Sequence, residues 1–243
     1  MNRFSRRAVV AVATAALVLT ASSGIPGAHA TPSSPVLPLN SSAFGHSYGE
    51  WSARWWQWSY SLPTTDHPLF DTAGCEAGQT GKVWFLGGTF TLIQQGNEVV
   101  GVAERTCDVP AGKALFFPLL NAEWDNVCPP LDPPLTVPEL RQAAAAALVG
   151  ATGLTATIDG QAVDNVVDFR VQSPTFAVTI PAQNVWRSFG PPCDTIGAGT
   201  YAPIVADGWY LLVRPLSHGE HTLHFTGGIP GFRLDITYHL NIG

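Results

Sequence analysis

The chain has 243 residues, among them 12 Lys and Arg and 18 Asp and Glu, and its formal net charge at pH 7 is −6. This acidic balance, with no run of clustered basic residues, argues against binding to nucleic acid or to an anionic membrane surface. Gly and Pro are abundant, but so are aromatic and β-branched residues, which predicts a rigid, loop-rich globular domain rather than a disordered chain.

Residues 1–30 have the pattern of an export signal. Arginines begin the segment, residues 8–20 form an uncharged Ala/Val/Leu stretch, and Ala28-His29-Ala30 is a small-x-small site that predicts cleavage after Ala30. Cleavage would remove three of the 12 basic residues and no acidic ones, so the net charge would fall from −6 to −9. The apolar stretch is shorter than the about 20 residues of a spanning helix, and no cysteine near the site offers a lipid anchor. We therefore expect a secreted, extracellular protein with no stable membrane anchor; Ser5-Arg6-Arg7 leaves the general and the twin-arginine export routes open.

The four cysteines, Cys75, Cys107, Cys128 and Cys193, all follow the predicted cleavage site. An even number of cysteines in an exported chain predicts two disulfide bonds. Three pairings are possible, and we favour Cys75–Cys107 with Cys128–Cys193 because the first bond would bracket one predicted hairpin. The sequence has no Cys-x-x-Cys motif, which argues against a thiol redox site or a zinc ribbon.

The first element of the exported chain is predicted to be a helix. It follows a Pro- and Ser-rich stretch, residues 31–45, that we interpret as a flexible lead-in. Ser47 and Glu50 form a capping box at the helix start, and the helix is predicted to reach about Tyr60 and to end before Pro63.

This helix contains four of the eight tryptophans of the chain. Helical spacing places Trp51, Trp55 and Trp58 on one face, where packing against a sheet is the simplest interpretation. Trp56 and Tyr60 lie four positions apart on the flank of the helix. Two such rings could form a flat platform for a sugar, so we predict that Trp56 and Tyr60 contact a ligand.

Most of the remaining chain has the pattern of short β-strands separated by Gly and Pro turns. A second helix is predicted after the capping box of Thr136 and Glu139; it contains five consecutive alanines and ends at Gly150. The last predicted strand, residues 232–242, alternates apolar and polar residues, as a half-buried strand does. The other predicted strands cover residues 83–86, 89–93, 98–103, 114–120, 155–158, 161–163, 166–171, 175–180 and 209–214.

These elements predict a mainly β protein. We expect an antiparallel β-sandwich, jelly-roll-like, with a Trp-rich N-terminal helix and one Ala-rich helix. No internal repeat or linker divides the chain after the lead-in, so residues 46–243 are predicted to form a single domain.

Polar residues follow the apolar strand that ends near Leu120. Asn121, Glu123 and Asp125 alternate along the chain, so a continued strand would direct all three to one side. Carboxylate and amide oxygens in this arrangement suit a calcium ion, and a pair of carboxyl groups also suits acid/base chemistry. We therefore predict Glu123 and Asp125 as ligand-binding residues and, with Asn121, as a calcium site; a simple polar turn before Cys128 is the alternative.

The histidines and the standard catalytic motifs give weaker signals. His218, His221 and His224 are spaced by three. On a strand, side chains alternate between the two faces, so His221 and His224 would point to opposite faces. We expect them to be hydrogen-bonded surface residues rather than metal ligands. The sequence contains no Gly-x-Ser-x-Gly, no His-Glu-x-x-His, no phosphate loop and no dinucleotide fingerprint, so no catalytic residue is assigned.

Two parts of the chain resemble an uncharacterised family of secreted bacterial proteins with a YGEWSARWWQW-type motif. The first part comprises this motif, which runs from Tyr48 to Trp58, and Val-Pro-Ala-Gly-Lys-Ala-Leu-Phe-Phe-Pro118. The second comprises Ala-Asp-Gly-Trp-Tyr210, Pro-Leu-Ser-His-Gly-Glu-His-Thr-Leu-His-Phe225 and Leu-Asp-Ile-Thr-Tyr-His-Leu240. The resemblance implies a secreted domain and no particular activity.

Three functions are consistent with these patterns. The first is a non-catalytic binding module for extracellular glycan or another small polar ligand, which uses Trp56, Tyr60 and the acidic corner formed by Glu123 and Asp125. The second is an extracellular hydrolase or lyase that acts on a polysaccharide or cell-wall polymer, with Glu123 and Asp125 as acid and base. The third is a structural or interaction protein of the cell envelope, in which the aromatic residues form core or interface. Because sandwiches support all three, the fold class does not decide among them.

Overall fold

The computed structural model describes residues 34–70, 74–128 and 133–243. The predicted export signal and its cleavage site lie outside these residues. The described residues contain two α-helices, α1 (Tyr48–Ser61) and α2 (Val137–Ala146), together with short 3₁₀ turns. Their strands are β1 (Val83–Phe85), β2 (Thr91–Gln95), β3 (Glu98–Val109), β4 (Ala114–Trp124), β5 (Thr152–Ile158), β6 (Gln161–Ala162), β7 (Arg170–Gln172), β8 (Phe176–Ile180), β9 (Gly199–Val213), β10 (Gly219–Ile229) and β11 (Phe232–Ile242).

The strands form two sheets that pack face to face. One sheet has the order β1-β4-β9-β7, with β8 also paired to β9, and the other has the order β2-β3-β11-β10-β5-β6. Apolar side chains from both sheets, such as Phe117 and Leu211 from the first and Phe225 and Tyr238 from the second, share one buried core. This confirms the predicted mainly β, sandwich-like fold with a Trp-rich helix.

The sheets are mixed rather than wholly antiparallel, because each contains one parallel pair that the prediction of an antiparallel sandwich did not specify. Strand β1 runs parallel to β4, and β3 runs parallel to β11 from Val99↔Phe232 to Val109↔Ile242. The reason is that β3 and β4 do not form a hairpin with each other. The chain passes from the second sheet to the first in the short turn between them, and β3 is then paired by the last strand of the chain.

The first sheet is buried on both faces. Along β4, Leu115 and Phe117 face the second sheet, whereas Ala114 and Phe116 face α1. A strand that is covered on both sides needs apolar residues at successive positions, which explains the uninterrupted apolar run at the start of β4. By contrast, β11 alternates as predicted, with Ile236 and other apolar residues buried.

Helix α1 covers the outer face of the first sheet. Its capping box is formed as predicted, because the Ser47 side chain accepts from the Glu50 amide and the Glu50 carboxylate accepts from the Ser47 amide. Trp51, Trp55 and Trp58 pack in the cluster between helix and sheet. Burial of about 150–250 Å² for each indole stabilises the fold by several kcal/mol at ~25 cal/mol per Å².

The predicted flexible lead-in also contacts this sheet over its described part. Val36 forms an isolated bridge with Val213, and the Leu37 amide donates to the Leu212 carbonyl over 2.8 Å. Residues 34–243 form one compact unit.

Both disulfide bonds have the pairing favoured by the sequence. Cys75 is bonded to Cys107, and Cys128 is bonded to Cys193. Two disulfides are typical of proteins that fold in an extracellular or otherwise oxidising environment. None of the helices in the described residues has the length and apolar character needed to cross a bilayer.

Candidate functional site

A cleft of about 540 Å³ lies where the second half of α1 meets the end of β4. Two short 3₁₀ helices, Val185–Phe189 and Cys193–Thr195, form its other wall. The predicted ligand-binding residues from the helix and from the acidic corner meet here, although Tyr60 and Glu123 are 63 positions apart in sequence. The cleft is lined by Trp56, Tyr60, Glu123, Trp124, Asp125, Cys128, Trp186, Phe189 and Cys193.

Glu123 lies in the wall of this cleft in an unusual electrostatic setting. The Tyr60 hydroxyl donates to its Oε2 over 2.8 Å, and its Oε1 is buried without a hydrogen-bond donor among the described residues. Burial raises the pKa of Glu123 well above its usual range, and the negative charge of Asp125 and a hydrogen bond to that side chain raise it further. The bond from Tyr60 acts in the opposite direction. Glu123 is therefore held in its neutral, proton-carrying form to a higher pH than an exposed glutamate.

Tyr60 is buried, with 8% of its surface exposed. Its ring lies between those of Trp56 and Trp186, at centroid distances of 5.1 and 4.2 Å and interplanar angles of 42° and 40°. The predicted flat platform of Trp56 and Tyr60 is therefore not formed, because the two rings are tilted and Tyr60 faces inward. Tyr60 instead orients the Glu123 carboxyl group.

Trp56 is half-buried and links the helix to the sheet. Its Nε1 donates to the Tyr210 hydroxyl over 3.3 Å, and the Asn121 Nδ2 donates to the same oxygen over 3.3 Å. Asn121 thus lies on the side of the sheet that faces α1, as its spacing with Glu123 predicts, but it lines a neighbouring cavity rather than the cleft.

The three predicted calcium ligands have other hydrogen-bond partners in this arrangement. Asn121 binds Tyr210, Glu123 binds Tyr60, and the Asp125 Oδ1 accepts from the Val127 amide over 2.6 Å. Calcium takes six to eight oxygen ligands and favours ionised carboxylates, so its binding would require Glu123 to lose its proton. Residues 34–70, 74–128 and 133–243 contain no cluster of three or more His, Cys, Asp or Glu side chains placed to hold a metal. Calcium binding stays a prediction.

The rim of the cleft is aromatic and open to solvent. Phe189 is 65% exposed and Trp124 is 39% exposed, and the Cys128–Cys193 disulfide closes the wall between them. The sequence analysis did not select Trp124, Trp186 or Phe189. The disulfide pairing was the available signal, because it places the residues before Cys193 beside those before Cys128.

The described histidines do not line the cleft. Three of them, His221, His224 and His239, each contact a carboxylate. His224 pairs with Asp235 and His239 with Glu104, over 2.9 and 2.8 Å. His221 pairs with an aspartate over 2.7 Å through Nδ1.

The partners of His221 resemble part of a Ser-His-Asp triad. Its Nδ1 faces Asp159, and its Nε2 lies 3.2 Å from the Ser217 hydroxyl. The same Nε2 lies 3.0 Å from the Ser217 carbonyl oxygen, closer than it lies to the hydroxyl, so the serine hydroxyl does not have this nitrogen to itself, as the nucleophile of a catalytic triad does. We interpret these contacts as a tie between the β5–β6 turn and the start of β10.

The chain matches no protein-family model and no curated protein. Among solved structures, a cysteine protease inhibitor from Entamoeba histolytica matches with 12% identity and a TM-score of 0.21. The match covers 59% of this chain and 96% of the inhibitor. A similarity at this level carries no argument about fold or function.

Proposed function

We propose that this protein is a secreted, non-catalytic binding module whose ligand, an extracellular glycan or another small polar molecule, occupies the cleft beside Glu123. The observation that carries the proposal is the combination, in one open cleft, of an exposed aromatic rim with the Glu123 carboxyl group, whose Oε1 is buried without a hydrogen-bond partner among the described residues and whose pKa burial raises. The predicted export signal and the two disulfides support secretion.

The chemistry of the cleft suits a carbohydrate. The exposed rings of Trp124 and Phe189 provide apolar faces against which the C–H side of a sugar can stack. A neutral Glu123 can donate a hydrogen bond through its O–H, whereas the carboxylate of Asp125 can accept one. Because the chain is acidic, with a net charge of −6, we expect neutral or cationic sugars to bind better than anionic ones.

A hydrolase or lyase is the second candidate, and the environment of Glu123 is the observation that favours it. A carboxyl group whose pKa is raised is one feature of the general acid in glycoside hydrolysis, and a second carboxyl group, that of Asp125, is its neighbour here. In such a hydrolase, Glu123 would donate the proton to the leaving group, and Asp125 would act as base or nucleophile.

The two candidates are separated by one set of binding and turnover measurements. The disulfide-intact chain from Thr31 onward is tested for retention on cellulose, chitin, xylan and peptidoglycan, with calcium and with a chelator. We expect retention on at least one polymer, and Trp124→Ala should weaken it at least ten-fold, since loss of a stacking ring removes about 1–2 kcal/mol or more. Phe44→Ala is the matched control because Phe44 is an equally exposed aromatic residue that does not line the cleft.

Each outcome has a separate meaning. Retention that the chelator abolishes would add calcium to the site, whereas retention that ignores the chelator would assign binding to the aromatic rim. Release of reducing sugar that is lost in Glu123→Gln would support the hydrolase instead. No retention on any polymer, or equal retention by Trp124→Ala and wild type, would contradict the proposed site.

A further inference from the structure

A second cavity, of about 270 Å³, lies between the two sheets next to α1. Its wall includes Trp55 from the helix and Leu119 from the first sheet. Phe225, Leu234 and Ile236 of the second sheet complete its opposite side. The cavity thus interrupts the packing between the sheets, where a sandwich of this kind is normally filled by side chains.

The lining offers little to a polar ligand. None of the described side chains that line it is acidic, basic or a histidine. Several of its polar groups are engaged elsewhere: the Trp55 Nε1 donates to the Leu86 carbonyl, the Tyr60 hydroxyl donates to Glu123 and the Asn121 amide donates to Tyr210. A polar molecule would lose hydrogen bonds with water here and regain few. Burial of an apolar one would be favourable at roughly 25 cal/mol per Å².

The cavity has an opening marked by exposed apolar side chains. Phe189 and Leu69 belong to its lining and are 65% and 42% exposed. Single exposed apolar residues are common on protein surfaces, but these two both line an apolar cavity. A hydrophobic molecule could therefore enter along an apolar path.

Size limits the ligand. A dry protein cavity of about 150 Å³ accepts benzene, which has six carbons. In proportion, the cavity of about 270 Å³ accommodates about ten carbons. This size is at the lower edge of the range of typical small-molecule pockets, about 300–1,000 Å³.

We propose that the inter-sheet cavity is a binding site for an uncharged apolar molecule of about ten carbons, such as a medium-length alkyl chain. This site is distinct from the glycan cleft, although Trp56, Tyr60 and Phe189 line both. The alkyl chain lies between Leu119 and Ile236, and any polar end group stays at the mouth beside Phe189.

The test uses 1-hexanol, 1-decanol and 1-tetradecanol with the disulfide-intact protein, by isothermal titration calorimetry and by thermal unfolding. We expect 1-decanol to bind one molecule per chain and to raise the melting temperature, 1-hexanol to bind at least ten-fold more weakly, and 1-tetradecanol to bind no more tightly than 1-decanol. The shorter chain buries less apolar area, and the additional carbons of the longer chain stay outside the cavity mouth. Affinity that keeps rising to fourteen carbons, or no saturable binding, would overturn the proposal.

Two substitutions test the location. Leu234→Phe and Ile236→Phe add bulk to the cavity wall, and we expect each to weaken 1-decanol binding at least ten-fold. Leu216→Phe is the control, because Leu216 is likewise half-buried, as Leu234 is, but lies outside the cavity. If Leu234→Phe and Ile236→Phe both fold and both bind 1-decanol as the wild type does, the ligand lies elsewhere and the assignment is overturned.

If both variants unfold, the chain-length series on the wild type decides alone. Trp124→Ala separates this proposal from the glycan cleft, because Trp124 lines the cleft and not the cavity. That variant should keep full affinity for 1-decanol even where it loses glycan binding.

Discussion

The protonation state of Glu123 determines what the cleft can offer a ligand. Because burial raises its pKa in the folded protein, the unfolded chain releases this proton near pH 4.5 while the folded chain still holds it. The folded state then binds more protons than the unfolded state, so this residue lowers the stability of the fold as pH rises above about 4.5.

We predict that Glu123→Gln removes this pH dependence. Gln remains neutral and its side-chain oxygen can still accept from Tyr60, so the free energy of unfolding of the variant should exceed that of the wild type by an amount that grows with pH between 4.5 and 7. Urea unfolding at a series of pH values measures the difference. Asp108→Asn is the control, because Asp108 is exposed and distant from the cleft. A constant difference between Glu123→Gln and wild type at all pH values would contradict the assignment.

His67 has the opposite dependence on pH. It is fully buried, and burial lowers its pKa from 6.5 to about 4. Its contribution to stability is complete above pH 6.5 and is lost as pH falls toward 4, because the unfolded chain takes up a proton that the folded chain excludes. This shift corresponds to roughly 3 kcal/mol at most.

His67→Asn should therefore flatten the acid side of the stability profile. The Asn side-chain oxygen can take the place of Nδ1, which accepts from the Leu69 amide. The free energy of unfolding of the variant, measured between pH 7 and pH 4, should fall less than that of the wild type. His239→Asn serves as the control, because His239 is partly exposed. If the free energy of unfolding of the wild type, His67→Asn and His239→Asn falls equally between pH 7 and pH 4, His67 is not the titrating group.

The element that joins most parts of the site is α1, and its fixed position depends on Tyr48. The Tyr48 hydroxyl donates to the Leu37 carbonyl over 2.6 Å and accepts from the Leu212 amide over 3.2 Å. One side chain thus connects the helix, the N-terminal segment and the central strand β9.

We predict that Tyr48→Phe destabilises the fold by about 1–3 kcal/mol, because it takes the hydroxyl away from a half-buried carbonyl and from a buried amide. Chemical denaturation measures the change. Tyr201→Phe is the matched control, since the Tyr201 hydroxyl donates to the Gly197 carbonyl at an exposed site. A loss in Tyr48→Phe that does not exceed the loss in Tyr201→Phe would contradict the role of Tyr48.

At this scale the sequence predicted the elements with clear local signals. Capping boxes gave the starts of α1 and α2, strict alternation gave β11, and the Asp159-Gly160 turn gave the β5–β6 hairpin, where both turn residues have positive φ. Two predicted strands differ from the structure. Residues 166–169 form a 3₁₀ turn instead of part of a strand, and β9 begins at Gly199 instead of residue 209. These depend on partners from distant segments, which periodicity does not reveal. The jelly-roll-like connectivity stays a prediction.

For the whole molecule, the two disulfides close loops that differ about two-fold in length but give similar stabilisation. Cys75–Cys107 spans 32 residues and Cys128–Cys193 spans 65, and loop-closure entropy gives each about 4 kcal/mol of stabilisation. Only the second bond forms part of the cleft wall.

We predict that removing either disulfide by paired Cys→Ser substitution costs a similar amount of stability, about 2–5 kcal/mol, but that only Cys128→Ser/Cys193→Ser weakens glycan retention. Without this bond, the 3₁₀ helix that carries Trp186 and Phe189 is no longer tied to the end of β4. Thermal unfolding measures the stability that each double variant loses. Polymer retention is then compared at a temperature below the melting temperatures of both variants. Equal losses of retention in the two double variants would show that the bond acts through global stability alone.

The meeting of α1 with the acidic corner could be anticipated only in part from the sequence. Spacing gave Glu123 and Asp125 a common direction, and the aromatic surplus drew attention to Trp56 and Tyr60. What the sequence could not give is the contact between them, because it depends on which sheet β4 enters and which face α1 covers. The inter-sheet cavity was not predicted for the same reason: it arises from the fit of side chains across two sheets.

The central claim, that the cleft binds a glycan, is tested most directly by the indole N–H signals of the tryptophans in ¹H–¹⁵N NMR spectra. Cello-, chito- and xylo-oligosaccharides are titrated into the disulfide-intact protein, with signals assigned by Trp→Phe variants. We expect at least one oligosaccharide to shift the signals of Trp124 and Trp186 in a saturable way and to leave those of the core residues Trp51 and Trp84 unchanged. Shifts confined to tryptophans outside the cleft, or no saturable shift with any of these sugars, would contradict this claim.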